Sequence, residues 1–317
     1  MSKKPVKNLK IIVDVDMEGI SGIDDPSQIW GDQKGFEKSR SLMTKEVNAV
    51  VRGLKAGGAT EVRVVDDHMS GGPSPLNIIP EKLEKSAKLY QGPDFWGRLN
   101  EALDGSLAAA VLLGYHAMAD DKEGFLTHTI HPFNIARIEI NGKVVGETAL
   151  AALKLAEHGI PVIMVTGDQA LIREASELLP GIETVQVKTS LNRRTTKCLD
   201  SAEARKRIEE AAKRAVSKID QLKPLGIQPP YKVRISFPTK EHAEIAAIIP
   251  EARRSGETAV SYIGRNVDEA EAFINTEIAL TTSILLRKFI RELAKLESFS
   301  RIEEKFWEKT RADWLFQ

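Results

Sequence analysis

Three carboxylate side chains alternate with apolar residues directly after the first apolar run of the chain. Residues 9–13 lead into Asp14, Asp16 and Glu18, and Gly19 follows. Residues two apart on a strand point to one side, so a strand that continued to Glu18 would crowd three negative charges together. Close like charges are costly unless a cation neutralises them. The pattern is typical of metal ligands, but a solvated strand end or a helix N-terminus would also produce it.

More potential ligands follow other predicted strands and turns. His68 and His116 each come just after an apolar run, His128 lies between two threonines, and Glu147 follows a predicted hairpin. The ends of parallel strands converge on one edge of a sheet, so we expect these residues to lie together. Imidazole and carboxylate suit zinc or a similar divalent ion, and two histidines with three carboxylates suffice for two ions that share a bridging carboxylate.

Each of these residues also has an ordinary structural interpretation. His68 or His116 alone could be a hydrogen-bonded loop histidine. Glu147 could be an acidic residue that the helix dipole favours at a helix N-terminus. His131 lies three residues after His128 and could compete with it for the same role.

Composition limits the class of protein. The 317 residues suffice for one large domain or two ordinary ones, and 45 basic residues balance 45 acidic ones. Zero net charge argues against a general nucleic-acid binder. The longest apolar run, residues 107–113, is too short to span a membrane, and the N-terminal segment lacks the apolar stretch of a signal peptide. Since Cys198 is the only cysteine, we expect a cytoplasmic protein without an intrachain disulfide.

Strand and helix patterns alternate through the first half of the chain. Apolar runs predict strands at residues 11–16, 61–66, 108–115 and 161–166, and helical periodicity predicts helices at 38–56, 95–103, 147–158 and 168–178. The pair Asn141 and Gly142 predicts a hairpin within residues 137–145. This alternation indicates an α/β fold with a mostly parallel sheet flanked by helices, and we assign a metal-binding domain to residues 1–190.

The pattern changes after about residue 190. A long charged helix is predicted to follow Asp200 and to reach about residue 218. Strands are predicted at 231–237 and 258–263, with helices near Glu241 and from Val267. We therefore assign a second, smaller α+β domain to residues 191–295. A C-terminal helical tail, residues 296–317, would pack on the body of the subunit or on a neighbouring subunit through its aromatic side chains Phe306, Trp307, Trp314 and Phe316.

Several short motifs together resemble one enzyme family. They are DMEGISG at 16–22, DH at 67–68, LGYHA at 113–117, THT at 127–129 and VGE at 145–147, with weaker likeness at 164–168 and 197–199. Their order and spacing resemble those of the bacterial zinc D-aminopeptidase family encoded in dipeptide-transport operons, over roughly residues 10 to 290. The combination is specific, although no single motif is.

The resemblance implies a cofactor and its ligands. The family binds two zinc ions per chain. Carried over to this sequence, Asp16 would bridge the ions, Glu18 and His116 would complete one of them, and His68 and Glu147 would bind the other.

The resemblance also implies an activity and an assembly. The family removes N-terminal D-amino acids from short peptides, and its catalytic histidine corresponds to His128. It forms ring-shaped homo-oligomers in which pentamers pair into decamers. Asp14, His131 and a longer C-terminal tail distinguish this chain from the member compared. Our hypothesis is a two-zinc aminopeptidase, with a metal-dependent amidase on a non-peptide substrate or a non-catalytic metal-binding assembly protein as alternatives.

Overall fold

Two β-sheets organise the chain in the computed structural model, which describes residues 8–29, 35–68, 76–92, 98–293 and 295. Strands are numbered along the chain, and seven within the described residues form the larger sheet in the order β3-β2-β1-β4-β7-β8-β9. All neighbours pair in parallel except β8 and β9, which form an antiparallel hairpin. The strands are β1 (Lys10–Val15), β2 (Glu61–Asp66), β3 (Ala87–Tyr90), β4 (Leu107–Leu113), β7 (Val162–Asp168), β8 (Glu183–Asn192) and β9 (Thr195–Cys198).

The smaller sheet is antiparallel and has the order β11-β12-β10-β5-β6. Its described strands are β5 (Arg137–Ile140), β6 (Lys143–Val145), β10 (Tyr231–Ser236), β11 (Arg253–Arg254) and β12 (Ala259–Gly264). The β5–β6 hairpin turns at Asn141 and Gly142, which both have positive φ, as the sequence predicts. Strand β5 precedes the domain boundary that we predict near residue 190 and pairs with β10, which follows it. The two predicted domains therefore share one sheet, and the boundary itself stays a prediction.

Helices cover both faces of the larger sheet. The α-helices of the described residues are α1 (Phe36–Gly57), α2 (Arg98–Ala102), α3 (Glu147–Glu157), α4 (Gln169–Leu178), α5 (Ser201–Val216), α6 (Lys240–Ala246) and α7 (Val267–Leu293). Of these, α6 and α7 pack on the smaller sheet. Helices α1 and α5 pack against each other and share one apolar core with β1. Helices α3 and α4 contribute to the core on the opposite face. The α/β class predicted from the sequence, with its mostly parallel sheet, is confirmed.

Helix α3 belongs to two cores at once. Ala152 and Leu155 face the larger sheet, whereas Ala149 and Leu153 join the core of the smaller sheet with α6 and α7. The first residue of α3, Glu147, comes directly after β6, so one short helix connects both sheets to the predicted ligand set. In the described part of the chain, no helix combines the length and the apolar character that crossing a membrane requires.

Candidate metal centre

Three adjacent strands of the larger sheet end at one place. Strand β1 lies between β2 and β4, and Asp16 and Glu18 follow it while His68 and His116 follow its two neighbours. Glu147 enters from the N-terminus of α3. The structure therefore brings all five predicted ligands together at the carboxyl edge of the sheet, where open α/β sheets bind their ligands.

His68 faces two carboxylates. Its Nδ1 lies 3.0 Å from Asp16 Oδ1 and 3.0 Å from Glu18 Oε2. Its Nε2 lies 3.1 Å from the carbonyl oxygen of Ile29. A carbonyl only accepts hydrogen bonds, so Nε2 carries a proton, and Nδ1 is the nitrogen that faces the carboxylates. Burial alone would lower the pKa of His68, but Glu18 and Asp16 outweigh it and raise that pKa well above its usual range. Once it has lost its proton, Nδ1 can hold a cation together with the two carboxylates.

His116 repeats this arrangement on the other side of Asp16. Its Nδ1 lies 3.0 Å from the carbonyl oxygen of Ala117, so this nitrogen donates and Nε2 is the nitrogen that faces the carboxylates. Nε2 lies 3.3 Å from Glu147 Oε1 and 3.5 Å from Asp16 Oδ2. In the described part of the chain, three buried atoms of the centre have no hydrogen-bond partner: His116 Nε2, Asp16 Oδ2 and Glu18 Oε2. Buried polar atoms are rarely left in this state, and cations bound at the centre would satisfy them.

The electrostatics of the centre show an excess of negative charge. Burial and the nearby Glu18 raise the pKa of Asp16 to about 7. Burial alone would lower the pKa of His116, but Glu147 and Asp16 outweigh it and raise that pKa well above its usual range. Burial also works against the ionised form of Glu147, but His116 and His128 lower its pKa to about 2. The carboxylates thus favour a positive charge at this place, which a metal ion can supply.

His128 lies at the edge of the centre with a defined orientation. Its ring stacks on that of His116, with centroids 4.0 Å apart, and its Nε2 lies 3.6 Å from Glu147 Oε1. Its Nδ1 donates to the carbonyl of Leu126 over 2.8 Å, which leaves Nε2 as the acceptor. Burial and the charge of His116 lower the pKa of His128, so the neutral base is favoured.

The backbone around His128 is strained. Leu126 and Ile130 have φ angles of 53° and 61°, in the region that non-glycine residues rarely adopt. The amide of Ile130 donates to Glu147 Oε1 over 2.6 Å, so the same carboxylate contacts the centre and fixes the histidine loop. Strain of this kind concentrates at functional sites, where surrounding contacts hold the backbone in place.

The potential ligand atoms form three overlapping groups. Within each group they all lie within 4.8 Å of one another. Asp16 is shared by two groups, one completed by Glu18 with His68 and the other by His116 with Glu147. The resemblance instead pairs Glu18 with His116 and His68 with Glu147, and both pairings leave Asp16 as the common residue. The groups are Asp16, Glu18 and His68; Asp16, His116 and Glu147; and Glu18, His116 and His128.

Two residues considered from the sequence lie outside these groups. Strand β1 ends at Val15, so the alternation that would crowd three carboxylates stops there. Asp14 is buried within the sheet and accepts a hydrogen bond from the hydroxyl of Tyr115 over 2.8 Å. His131 packs edge-on against the ring of the exposed Phe133.

Sequence reasoning did not identify the buried residues that hold the centre's loops. Lys188 donates to the carbonyls of Glu18 and Ile23. Asp168 accepts from the amide of Phe125, near the start of the histidine loop. Asp168 ends the apolar strand β7, within the weaker family likeness at 164–168, whereas β8 shows no ligand-like pattern. The sequence signal for Lys188 is weak: the lysine follows Val185 and Val187, which alternate as in a half-buried strand.

The fold and this centre define a mixed α/β protein with a carboxylate–histidine site of the kind that metal-dependent hydrolases use. The sequence profile of peptidase family M55, D-aminopeptidase, matches residues 9–276. The chain belongs to this D-aminopeptidase family, as the motifs indicated.

A relative and a solved structure agree with this assignment. A D-aminopeptidase of Bacillus subtilis (strain 168) is 34% identical over 278 residues, which cover 87% of this chain and 99% of the relative. The solved Zn-dependent D-aminopeptidase DppA from Bacillus subtilis, described as a self-compartmentalizing protease, superposes with a TM-score of 0.81. It is 32% identical and the match covers 86% of this chain and 98% of that one.

Proposed function

We propose that this chain is an aminopeptidase that uses two zinc ions to remove N-terminal D-amino acids from short peptides. Membership in the D-aminopeptidase family and the likeness to a zinc-dependent member support the reaction class and the metal. The five converging side chains support the position of the ions.

One observation carries the proposal of two ions. The two oxygens of Asp16 face different histidines: Oδ1 lies 3.0 Å from His68 Nδ1, and Oδ2 lies 3.5 Å from His116 Nε2. Each histidine has its other nitrogen fixed by a backbone carbonyl, so each directs its remaining ring nitrogen at its own oxygen of Asp16. A carboxylate between two such donors is suited to bridging two ions. Glu18 and Glu147 supply the remaining negative charge.

The chain's own residues have separate tasks in the proposed reaction. When bound, the zinc ions would lower the pKa of a water molecule toward neutrality and polarise the scissile carbonyl. His128 is oriented to accept a proton at Nε2 and to return it to the leaving amine, or to stabilise negative charge on the carbonyl oxygen. Glu147 Oε1, 3.6 Å from His128 Nε2, favours the protonated form of that ring.

Replacement of Asp16 by alanine tests the two-ion proposal. Because a bridging residue serves both ions, Asp16→Ala should lose most of both zinc ions, measured by elemental analysis of the purified protein. Glu277→Gln is a matched control, since Glu277 is another buried carboxylate, on α7, and neither of its oxygens has a hydrogen-bond partner among the residues that the structure describes. Full zinc occupancy in folded Asp16→Ala would contradict the assignment, and loss in the control would show that the effect is not local.

A panel of peptides tests the substrate class. D-aminoacyl dipeptides, their L counterparts and simple non-peptide amides should separate the proposed aminopeptidase from a metal-dependent amidase. Preferential release of D-amino acids supports the proposal. Turnover of non-peptide amides alone would favour the amidase, and bound zinc without turnover of any amide would favour a metal-binding assembly protein.

We further propose a cytoplasmic homo-oligomer that forms a ring, such as a decamer of two pentamers. The solved relative is described as a self-compartmentalizing protease, and this supports an assembly of several copies. Light scattering should give a mass many times that of the 35.0 kDa chain, and a monomer would contradict the ring. The predicted role of the tail residues Phe306, Trp307, Trp314 and Phe316 lies outside the described residues.

A further inference from the structure

A buried lysine contacts the loop that carries Glu18. Lys188 lies on β8 with only 1% of its surface exposed. Its Nζ donates to the carbonyl of Glu18 over 2.8 Å and to the carbonyl of Ile23 over 2.7 Å. The same nitrogen lies 5.0 Å from the ring centroid of Phe125, within range of a cation–π interaction. The ammonium group therefore contacts the two ends of the loop and the aromatic ring beneath it.

A β-bulge explains why this lysine points inward. In the β7–β8 ladder Gly167 pairs with Gln186, but the next residue, Asp168, pairs with Lys188. Val187 is thus an extra residue on β8, and the inside–outside alternation breaks, so that Val187 and Lys188 are both buried. Bulges commonly redirect a side chain next to an active site.

The charge of Lys188 is not balanced by a direct ion pair. Among the residues that the structure describes, no carboxylate lies within ion-pair distance of its Nζ. Glu46 and Asp168, two nearby acids, make their hydrogen bonds elsewhere, to the amides of Ser21 and Phe125. A buried ammonium that holds only carbonyls and a ring is costly, and an apolar side chain of the same size would fill the space at lower cost. Packing alone therefore does not account for a lysine here.

Other hydrogen bonds hold the loop that follows β1, but they do not involve the carbonyl oxygen of Glu18. The amide of Gly19 donates to the carbonyl of Gly114, and the hydroxyl of Ser21 donates to the carbonyl of Leu199. These bonds fix the middle of the loop. Only Lys188, among the described residues, donates to the backbone oxygen of Glu18. The carbonyl and the side chain of Glu18 branch from the same Cα, so a bond that fixes the carbonyl limits the movement of the carboxylate.

We propose that Lys188 is a positioning residue for Glu18: it holds the Glu18 carbonyl so that the carboxylate stays beside Asp16 and His68. The positive charge of Lys188 also offsets part of the negative charge gathered at the strand ends. The proposal rests on the proposed metal centre and adds a determinant of its geometry that lies outside the ligand set.

Lys188→Met tests the role because it keeps an unbranched side chain as far as Cε and removes the donor and the charge. Zinc dissociation constants are measured by competition with a chelating dye, and thermal unfolding is measured on the metal-free proteins. We expect the ion that depends on Glu18 to bind about 10- to 100-fold more weakly, as for other residues that orient metal ligands. The dissociation constant of the other ion should change by less than about threefold, and the melting temperature of the metal-free variant should not fall below that of the metal-free wild type.

Cys198→Ala is the matched control. Cys198 lies directly opposite Lys188 in the β8–β9 hairpin, and its Sγ is 3.7 Å from the same Ile23 carbonyl, but it does not contact Glu18. This variant should retain both zinc constants. Lys188→Leu, which also removes the donor and the charge, replaces Lys188→Met if the latter does not fold.

The outcomes separate the two proposals. Unchanged zinc constants in a folded Lys188 variant would overturn the positioning role. Equally weaker binding of both ions, together with a fall in the metal-free melting temperature, would also overturn the positioning role, because the lysine would then stabilise the fold as a whole. Failure of both Lys188 variants to fold would overturn it for the same reason. A wild-type chain that binds no zinc would refute the metal centre itself and not the contact that Lys188 makes.

Discussion

His128→Ala should slow peptide hydrolysis strongly and leave the zinc content intact. The structure holds this ring by its Nδ1 bond to Leu126, so the proton-transfer capacity resides at Nε2, toward Glu147. His116 keeps its own contacts with Asp16 and Glu147 when the stacked ring is removed. A positioned acid or base contributes about 100- to 10,000-fold to a rate. We therefore expect kcat to fall by about 100-fold or more, which is about 2.7 kcal/mol or more of transition-state stabilisation.

The assay measures kcat with a D-aminoacyl dipeptide at saturating zinc, next to the zinc content of the same preparation. His131→Ala is the control, because His131 is in the same loop and belongs to none of the potential ligand groups. Unchanged kcat in His128→Ala with a loss in the control would transfer the role to His131. A loss of zinc in parallel with the loss of activity would identify His128 as a metal ligand and refute the proton-transfer role. His128 does belong to one of the three groups of potential ligand atoms, with Glu18 and His116.

Two further substitutions test the loop and the pH dependence of stability. Gly19→Ala should lower zinc affinity about tenfold or more, because a Cβ there would collide with the carbonyl of Tyr115 and displace the loop. The control is Gly53→Ala, which brings a Cβ against the carbonyl of Glu209 where α1 meets α5; it should destabilise the fold but leave the zinc affinity of the folded protein unchanged. Equal loss of zinc affinity in both variants would contradict a local effect of Gly19. Burial raises the pKa of Glu277 from its ordinary 4.5 to about 8, so the unfolded chain ionises this carboxyl first and the folded state loses stability as pH rises from 4.5 to about 8. Glu277→Gln removes that loss, so the denaturation free energy of the variant relative to the wild type should increase over this interval by up to a few kcal/mol, and a difference that does not change with pH would refute the reasoning.

Much of the larger sheet could be predicted because its signals are local. Apolar runs of strand length mark β1, β2, β4 and β7, and helical periodicity marks α1, α3 and α4. The candidate ligands could be predicted for the same reason, since each follows such a strand or a turn. Their meeting then follows from the parallel order of the sheet, which places strand ends along one edge.

The parts that could not be predicted depend on distant contacts. The Asn141–Gly142 turn predicts the β5–β6 hairpin, but nothing local indicates that β5 pairs with β10, more than 90 residues later. Strands β8 and β9 have few apolar residues and β3 has only four residues, so their sequences do not predict strands. Lys188 would be read as exposed on any regular strand, and only the bulge opposite Gly167 and Asp168 brings it inside.

A titration of the metal-free wild-type protein with zinc tests the two-ion aminopeptidase most directly. Activity toward a D-aminoacyl dipeptide is measured after each addition, with the L isomer assayed in parallel. We predict that D-peptide turnover rises to a plateau at two zinc ions per chain and that the L isomer is cleaved much more slowly. A plateau at one ion per chain would contradict the bridging role of Asp16. The absence of turnover at any zinc concentration would contradict the proposed function.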